Sequence, residues 1–198
     1  MNHSHRTDRS VELQRGVAAI EFALVAPFFI LLMLGAADLT FFMRVKMRLE
    51  ATANQVTLVV TQYENLYDSD FTGTFNIFNT AQTIAGTTPV TGLLGATIVT
   101  GIVTDSQDRQ TIAWQKRSSQ ATPVSLFGTV VGSAPVLPNN YLLPANGTLI
   151  AVEVFTPATP WVFSASVMGG GVTTTLRSYT LYQPRLGSLA TVNTGTRP

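Results

Sequence analysis

Gly16-Val17-Ala18-Ala19-Ile20-Glu21-Phe22 opens an apolar run that continues to Ala37 with Glu21 as its only charge. The run follows a polar leader in which Arg6, Arg9 and Arg15 stand against Asp8 and Glu12. Val17 to Ala37 is about 21 residues, and at about 1.5 Å rise per residue a helix of that length spans about 30 Å, the thickness of bilayer hydrocarbon. A carboxylate inside such a segment is expensive, so Glu21 asks for a partner or a reader. Pro27 and Gly35 fall within the run and are tolerated in membrane helices. Pro27 also removes a backbone donor, which predicts a kink there.

The helical period persists past Ala37. Phe42, Val45, Leu49, Ala53, Val56, Val60 and Tyr63 recur every three or four residues, the spacing of one helix face. No glycine or proline falls between Asp38 and Glu64. One continuous helix from Val17 to residue 62 is therefore expected, roughly 69 Å long. Arg15 precedes the apolar run while Arg44, Lys46 and Arg48 follow it, so basic residues alone do not fix an orientation. Asp38, at the border of the run, is expected to be interfacial and solvated. Phe28, Phe29, Phe41 and Phe42 are expected to face lipid or neighbouring helices. An apolar core ending in Gly35-Ala36-Ala37 also has the form of a secretory signal cleaved before Asp38. The length of the run, Pro27 and the uninterrupted helical period beyond it speak against that alternative.

After Tyr63 the pattern changes. Asn65, Asp68, Ser69, Asp70, Gly73, Gly86, Pro89 and Gly92 mark loops, with a short helix expected around Phe75 to Ile84. Strand signals follow at Ala96 to Thr104, Thr111 to Lys116, Thr148 to Phe155 and Thr173 to Tyr182. Asp105-Ser106-Gln107-Asp108 suits a hairpin turn, and Asn146-Gly147-Thr148 and Gly169-Gly170-Gly171 read as further turns. The fold class is α+β: a long N-terminal helix whose outer half packs against a small antiparallel sheet, expected as a four-strand meander. The chain divides into a leader (1–16), the long helix (17–62, membrane-spanning over 17–37), a connector (63–95) and a β-rich domain (96–198). The tail after Arg185 is expected to be frayed.

Composition excludes several chemistries. A formal net charge of +1 with 12% charged residues gives no electrostatic case for nucleic acid. There is no cysteine, and the two histidines are His3 and His5, so thiolate chemistry, metal sites and histidine-based triads lack raw material, and no cofactor is expected. Asp68 and Asp70 are expected as solvated loop acids. Glu153, between Val152 and Val154, should point away from the core to solvent. Trp114 and Trp161 are expected in packing roles.

The sequence Arg15-Gly16-Val17-Ala18-Ala19-Ile20-Glu21-Phe22-Ala23-Leu24-Val25-Ala26-Pro27 resembles the opening of TadE/TadG-like pseudopilins of tight-adherence (Flp) pilus systems, and the similarity extends through Leu31-Leu32-Met33-Leu34-Gly35 and Asp38 to about residue 62. The resemblance implies a pilin-like fold, no enzymatic activity and cleavage by a prepilin peptidase between Gly16 and Val17. Glycine at the scissile bond lets the backbone lie extended in a protease cleft. Glu21, four residues from Val17 and on the same helix face, would neutralise the new amino group of Val17 on its own or a neighbouring subunit. Implied partners are the peptidase, other pilins or pseudopilins through the N-terminal helix, an inner-membrane assembly platform and lipid. The implied location is the inner membrane, single-pass, with the N-terminus cytoplasmic and the C-terminal domain periplasmic, and incorporation in a surface pilus is one outcome. The alternative is an unprocessed single-pass anchor carrying a periplasmic β-rich binding module. A secreted hydrolase is the third reading, disfavoured by the missing histidines.

Overall fold

The computed structural model describes residues 5–92, 95–118, 123–159 and 174–197, with side chains from Gly16 onward. Helix α1 runs His5–Thr61 without a break. It therefore starts well before the expected Val17, and the part of the leader from His5 is helical. No glycine or proline interrupts His5 to Arg15, and a helix once nucleated propagates at little cost. The chain separates into two compact units, one containing α1 up to Phe42 and the other beginning at Met43, so α1 contributes to both.

In the second unit α1 supplies one layer of a two-layer core. Leu49, Ala53, Val56 and Val60 are fully buried, spaced by four, three and four residues as one helix face requires. They pack with Val99, Trp114, Ile150, Val152 and Val154 of the sheet. Burying a side chain of this size contributes about 1.5–3 kcal/mol, so this face holds helix and sheet together. Thr52 and Thr57 share the buried region, and their hydroxyls donate back to the carbonyls of Arg48 and Ala53. After α1 come strand β1 (Leu66–Tyr67), the single turn α2 (Ser69–Thr72) and helix α3 (Ile77–Ala85). Asn76 caps α3 by accepting from the Asn79 amide at 2.7 Å, and Ile77, Phe78, Ala81 and Ala85 form its buried face.

Strands β2 (Ala96–Thr104), β3 (Gln110–Arg117), β4 (Thr148–Ala158) and β5 (Thr174–Tyr182) form an antiparallel sheet. Their order is β3-β2-β4-β5, so the sheet is not the simple meander expected. The connection from β3 passes β2 to reach β4, and in doing so it covers the sheet face opposite α1. Phe127, Leu137 and Leu143 of that connection are buried with Ile102, Leu149 and Ala151. Alternation along β4 divides its residues accordingly: Ile150, Val152 and Val154 face α1, and Ala151, Glu153 and Phe155 the other layer.

The β2–β3 hairpin closes as expected around Asp105. Its carboxylate accepts from the amides of Gln107 and Arg109 and from the Arg109 guanidinium, while Asp108 takes a left-handed conformation at φ 58°. Gly101 pairs with Trp114 across the strands, and a Cβ on Gly101 would lie 2.3 Å from the indole. The tail is not frayed. Its strand β6 (Val192–Asn193) pairs in parallel with β1, Leu189 is buried, and the Leu189 carbonyl accepts from Trp114 Nε1 at 2.9 Å.

Candidate membrane-processing site and the head domain

Among the described residues one helix is long and apolar enough to cross a membrane. Its most apolar window has mean hydropathy 2.5 and is entirely unburied. Phe22 and Leu24 are 74% and 78% exposed, and Phe28, Phe29 and Met33 are likewise open. An apolar surface of this extent on a single helix is matched to lipid or to other helices.

Gly16, Val17 and Glu21 lie on consecutive turns of α1, all exposed. Among the described residues, nothing beyond the helix's own backbone approaches within 4 Å of where a Gly16 side chain would stand. The bond itself is helical here, where the processing expectation has it extended. Glu21 makes no ion pair among the described residues, and Val17, one helical turn before it, is an internal peptide residue of α1. The helix continues through Pro27. The missing N–H there leaves the Ala23 carbonyl without its usual partner. Asp38, expected to be solvated, is instead buried and engaged.

The head places its acids differently from expectation as well. Asp68 pairs with Lys116 at 2.7 Å. Asp70 accepts from the Tyr67 amide and from Arg197 at 2.9 Å. The Arg197 guanidinium also donates to the Asn65 carbonyl and stacks 4.4 Å from the centre of the Tyr63 ring. The hydrogen bond to Asp70 is the main reason its pKa is raised. These contacts fasten the tail to the end of α1.

Glu153 is the clearest departure. It is fully buried, accepting from the Ser125 hydroxyl and from the Leu126 amide at 2.8 Å. Burial raises its pKa against the opposing pull of these hydrogen bonds and of Arg177 and Arg117. Alternation placed it correctly on the second face; the covering connection, invisible to a strand pattern, makes that face interior. Trp114 is core as expected, whereas Trp161 and Gly169 to Gly171 lie outside the described residues. No cluster of three or more histidine, aspartate or glutamate side chains suited to a metal occurs among the described residues.

Residues 16–57 match the family described as TadE-like protein. The match lies wholly within α1 and includes Gly16, Val17, Glu21 and Pro27. No curated protein and no solved structure is significantly similar to the chain.

Proposed function

We propose, from the match of residues 16–57 to the TadE-like family, that the protein is a minor pseudopilin of a tight-adherence (Flp) pilus system, held in the inner membrane by α1 with its sheet domain in the periplasm. The observation that carries this reading is a TadE-like segment coinciding with an entirely unburied apolar helix. In this scheme a prepilin peptidase cuts between Gly16 and Val17. Cleavage frees an ammonium on Val17 one helical turn from Glu21, and the pair sets register between packed helices in lipid. A lone Glu21 in lipid is costly, so the charge pair rewards assembly. Partners are the peptidase, other pilins or pseudopilins, and the inner-membrane assembly platform, and the role is structural rather than catalytic.

The unprocessed single-pass anchor with a β-rich binding module is favoured by one observation: α1 passes unbroken through Gly16, so the bond must unwind before it is cut. The mature N-terminus of protein from the native host decides between them. Val17 is expected. Met1 establishes the plain anchor, and Asp38 the secreted form. In a processed chain Glu21→Ala should retain membrane insertion and lose pilus assembly; normal piliation in that variant overturns the role given to Glu21.

A further inference from the structure

The two edges of the sheet are treated differently. At the β3 edge the connection supplies a partner: Gly132 donates to the Ile112 carbonyl at 2.8 Å, and Ile112 donates to the Ser133 carbonyl at 2.9 Å. The β5 edge has no such partner strand among the described residues. β5 contains no proline or lysine, one charge, and an unbroken register with β4 over all nine residues, so the strand itself carries neither a bulge nor a proline to blunt it.

The ladder fixes which groups point outward. Thr97 exchanges hydrogen bonds with Ser118 on the β3 side, so its neighbours Ala96 and Ile98 turn to β4, opposite Phe155 and Glu153. Val152 and Val154 therefore turn to β5, where they meet Thr180 and Ser178. By the same alternation Thr175, Arg177, Tyr179 and Leu181 aim their amides and carbonyls away from the sheet. A contact confirms the parity: Lys46 Nζ donates to the Arg177 carbonyl at 2.6 Å, a side chain standing where a neighbouring strand would place its N–H.

Beside this edge lies an open groove of about 640 Å³. Its other wall is Lys46, Glu50 and Asn54, one helical turn apart on α1. We propose that the β5 edge and this polar row form a docking groove for an extended, proline-free segment of a partner protein that carries a carboxylate. An added strand supplies its own N–H to the Arg177 carbonyl and displaces Lys46. The released ammonium then needs a counter-charge. Glu50, 3.7 Å away and half exposed, provides little, and the Arg177 side chain lies on the opposite face of the sheet beside Glu153. A carboxylate on the incoming segment supplies that counter-charge. The inference is independent of whether α1 is trimmed.

The test is residue-resolved amide hydrogen exchange on the full chain in detergent micelles, with the synthetic peptide Thr-Val-Thr-Glu-Thr-Val-Thr as probe. Saturating peptide should slow exchange of the Arg177, Tyr179 and Leu181 amides by about tenfold or more, leaving Ser178 and Thr180 unchanged. Peptides with lysine or proline in place of the glutamate should protect less. Lys46→Ala, a change at a partly exposed position, should abolish the preference for glutamate over lysine. No slowing, or equal protection by the lysine peptide on the unaltered chain, overturns the proposal. So does finding the outward amides already as slow as Ser178 without peptide, which means the chain covers its own edge. Protection that rises with protein concentration alone assigns the groove to a second copy and equally overturns the partner named here.

Discussion

Removing the Glu153 carboxylate tests how the second layer is held on the sheet. Glu153→Ala leaves the Ser125 hydroxyl and the Leu126 amide facing a vacated interior site. Each buried polar group left unpaired costs about 1–3 kcal/mol, so a loss of about 2–6 kcal/mol is expected, a large share of a domain's usual 5–15 kcal/mol. Glu153→Gln separates geometry from charge. Its amide oxygen can still accept from Leu126, and its amino group can donate to the Ser125 oxygen, while the charge that resists burial is gone. The pH dependence follows from the raised pKa. A carboxyl raised above its unfolded value holds its proton more tightly when folded. The stability it confers is full below the unfolded value of 4.5 and is lost as pH rises through the folded value. Glu153→Gln should therefore gain on the unaltered chain as pH rises through that window, then hold its advantage. Urea unfolding of the full chain in detergent, followed by tryptophan fluorescence across about pH 4 to 8, reads both effects. A neutral Glu153→Ala, or a Glu153→Gln difference that stays flat over this range, refutes the reasoning.

Three further substitutions probe other parts of the head. Gly101→Ala forces a Cβ into the Trp114 ring and should cost about 1–3 kcal/mol, measured by the same unfolding curves and accompanied by a changed Trp114 environment in near-UV circular dichroism. Asp105 has a lowered pKa because the Arg109 amide, foremost, binds its charged form. Its contribution is present above the unfolded value of 3.8 and is lost as pH falls through the folded one, so Asp105→Asn should show faster exchange of the Gln107 and Arg109 amides at neutral pH, and acid should bring the unaltered chain toward that behaviour. Arg197→Ala should lower global stability by about 1 kcal/mol, since Arg197 is nearly half exposed although its partner Asp70 is mostly covered. The same variant should markedly speed proteolysis of the tail after Arg185, and an unchanged cleavage rate would show that Leu189 and β6 suffice to hold it.

Much of this molecule is local, and the local part is legible. The apolar run, the period of Leu49, Ala53, Val56 and Val60, and the β-branched stretches each state their own conformation, because helix and strand impose fixed spacings on whatever must be buried. The Asp105 turn is legible for the same reason, since its hydrogen bonds close within five residues. Strand order is not. β4 pairs with β2 rather than β3 because the intervening connection carries Phe127, Leu137 and Leu143 across the sheet, and hydrophobic spacing says nothing about which neighbour a strand will take. The Thr and Gly residues of the tail predict fraying, yet Leu189 and Arg197 find partners at Trp114 and Asp70, far away in the chain.

Spacing and composition alone specify an uninterrupted helix, half suited to lipid and half to a sheet, with Gly16, Val17, Glu21 and Pro27 in the stretch that matches the TadE-like family. Those features depend on residues a turn or two apart. Folding, not spacing, makes Glu153 and Asp38 interior, covers one sheet edge, and sets the other beside Lys46, Glu50 and Asn54. Burial and edge pairing are properties of chain segments brought together across long separations, and side-chain spacing along one element carries no record of what will cover it.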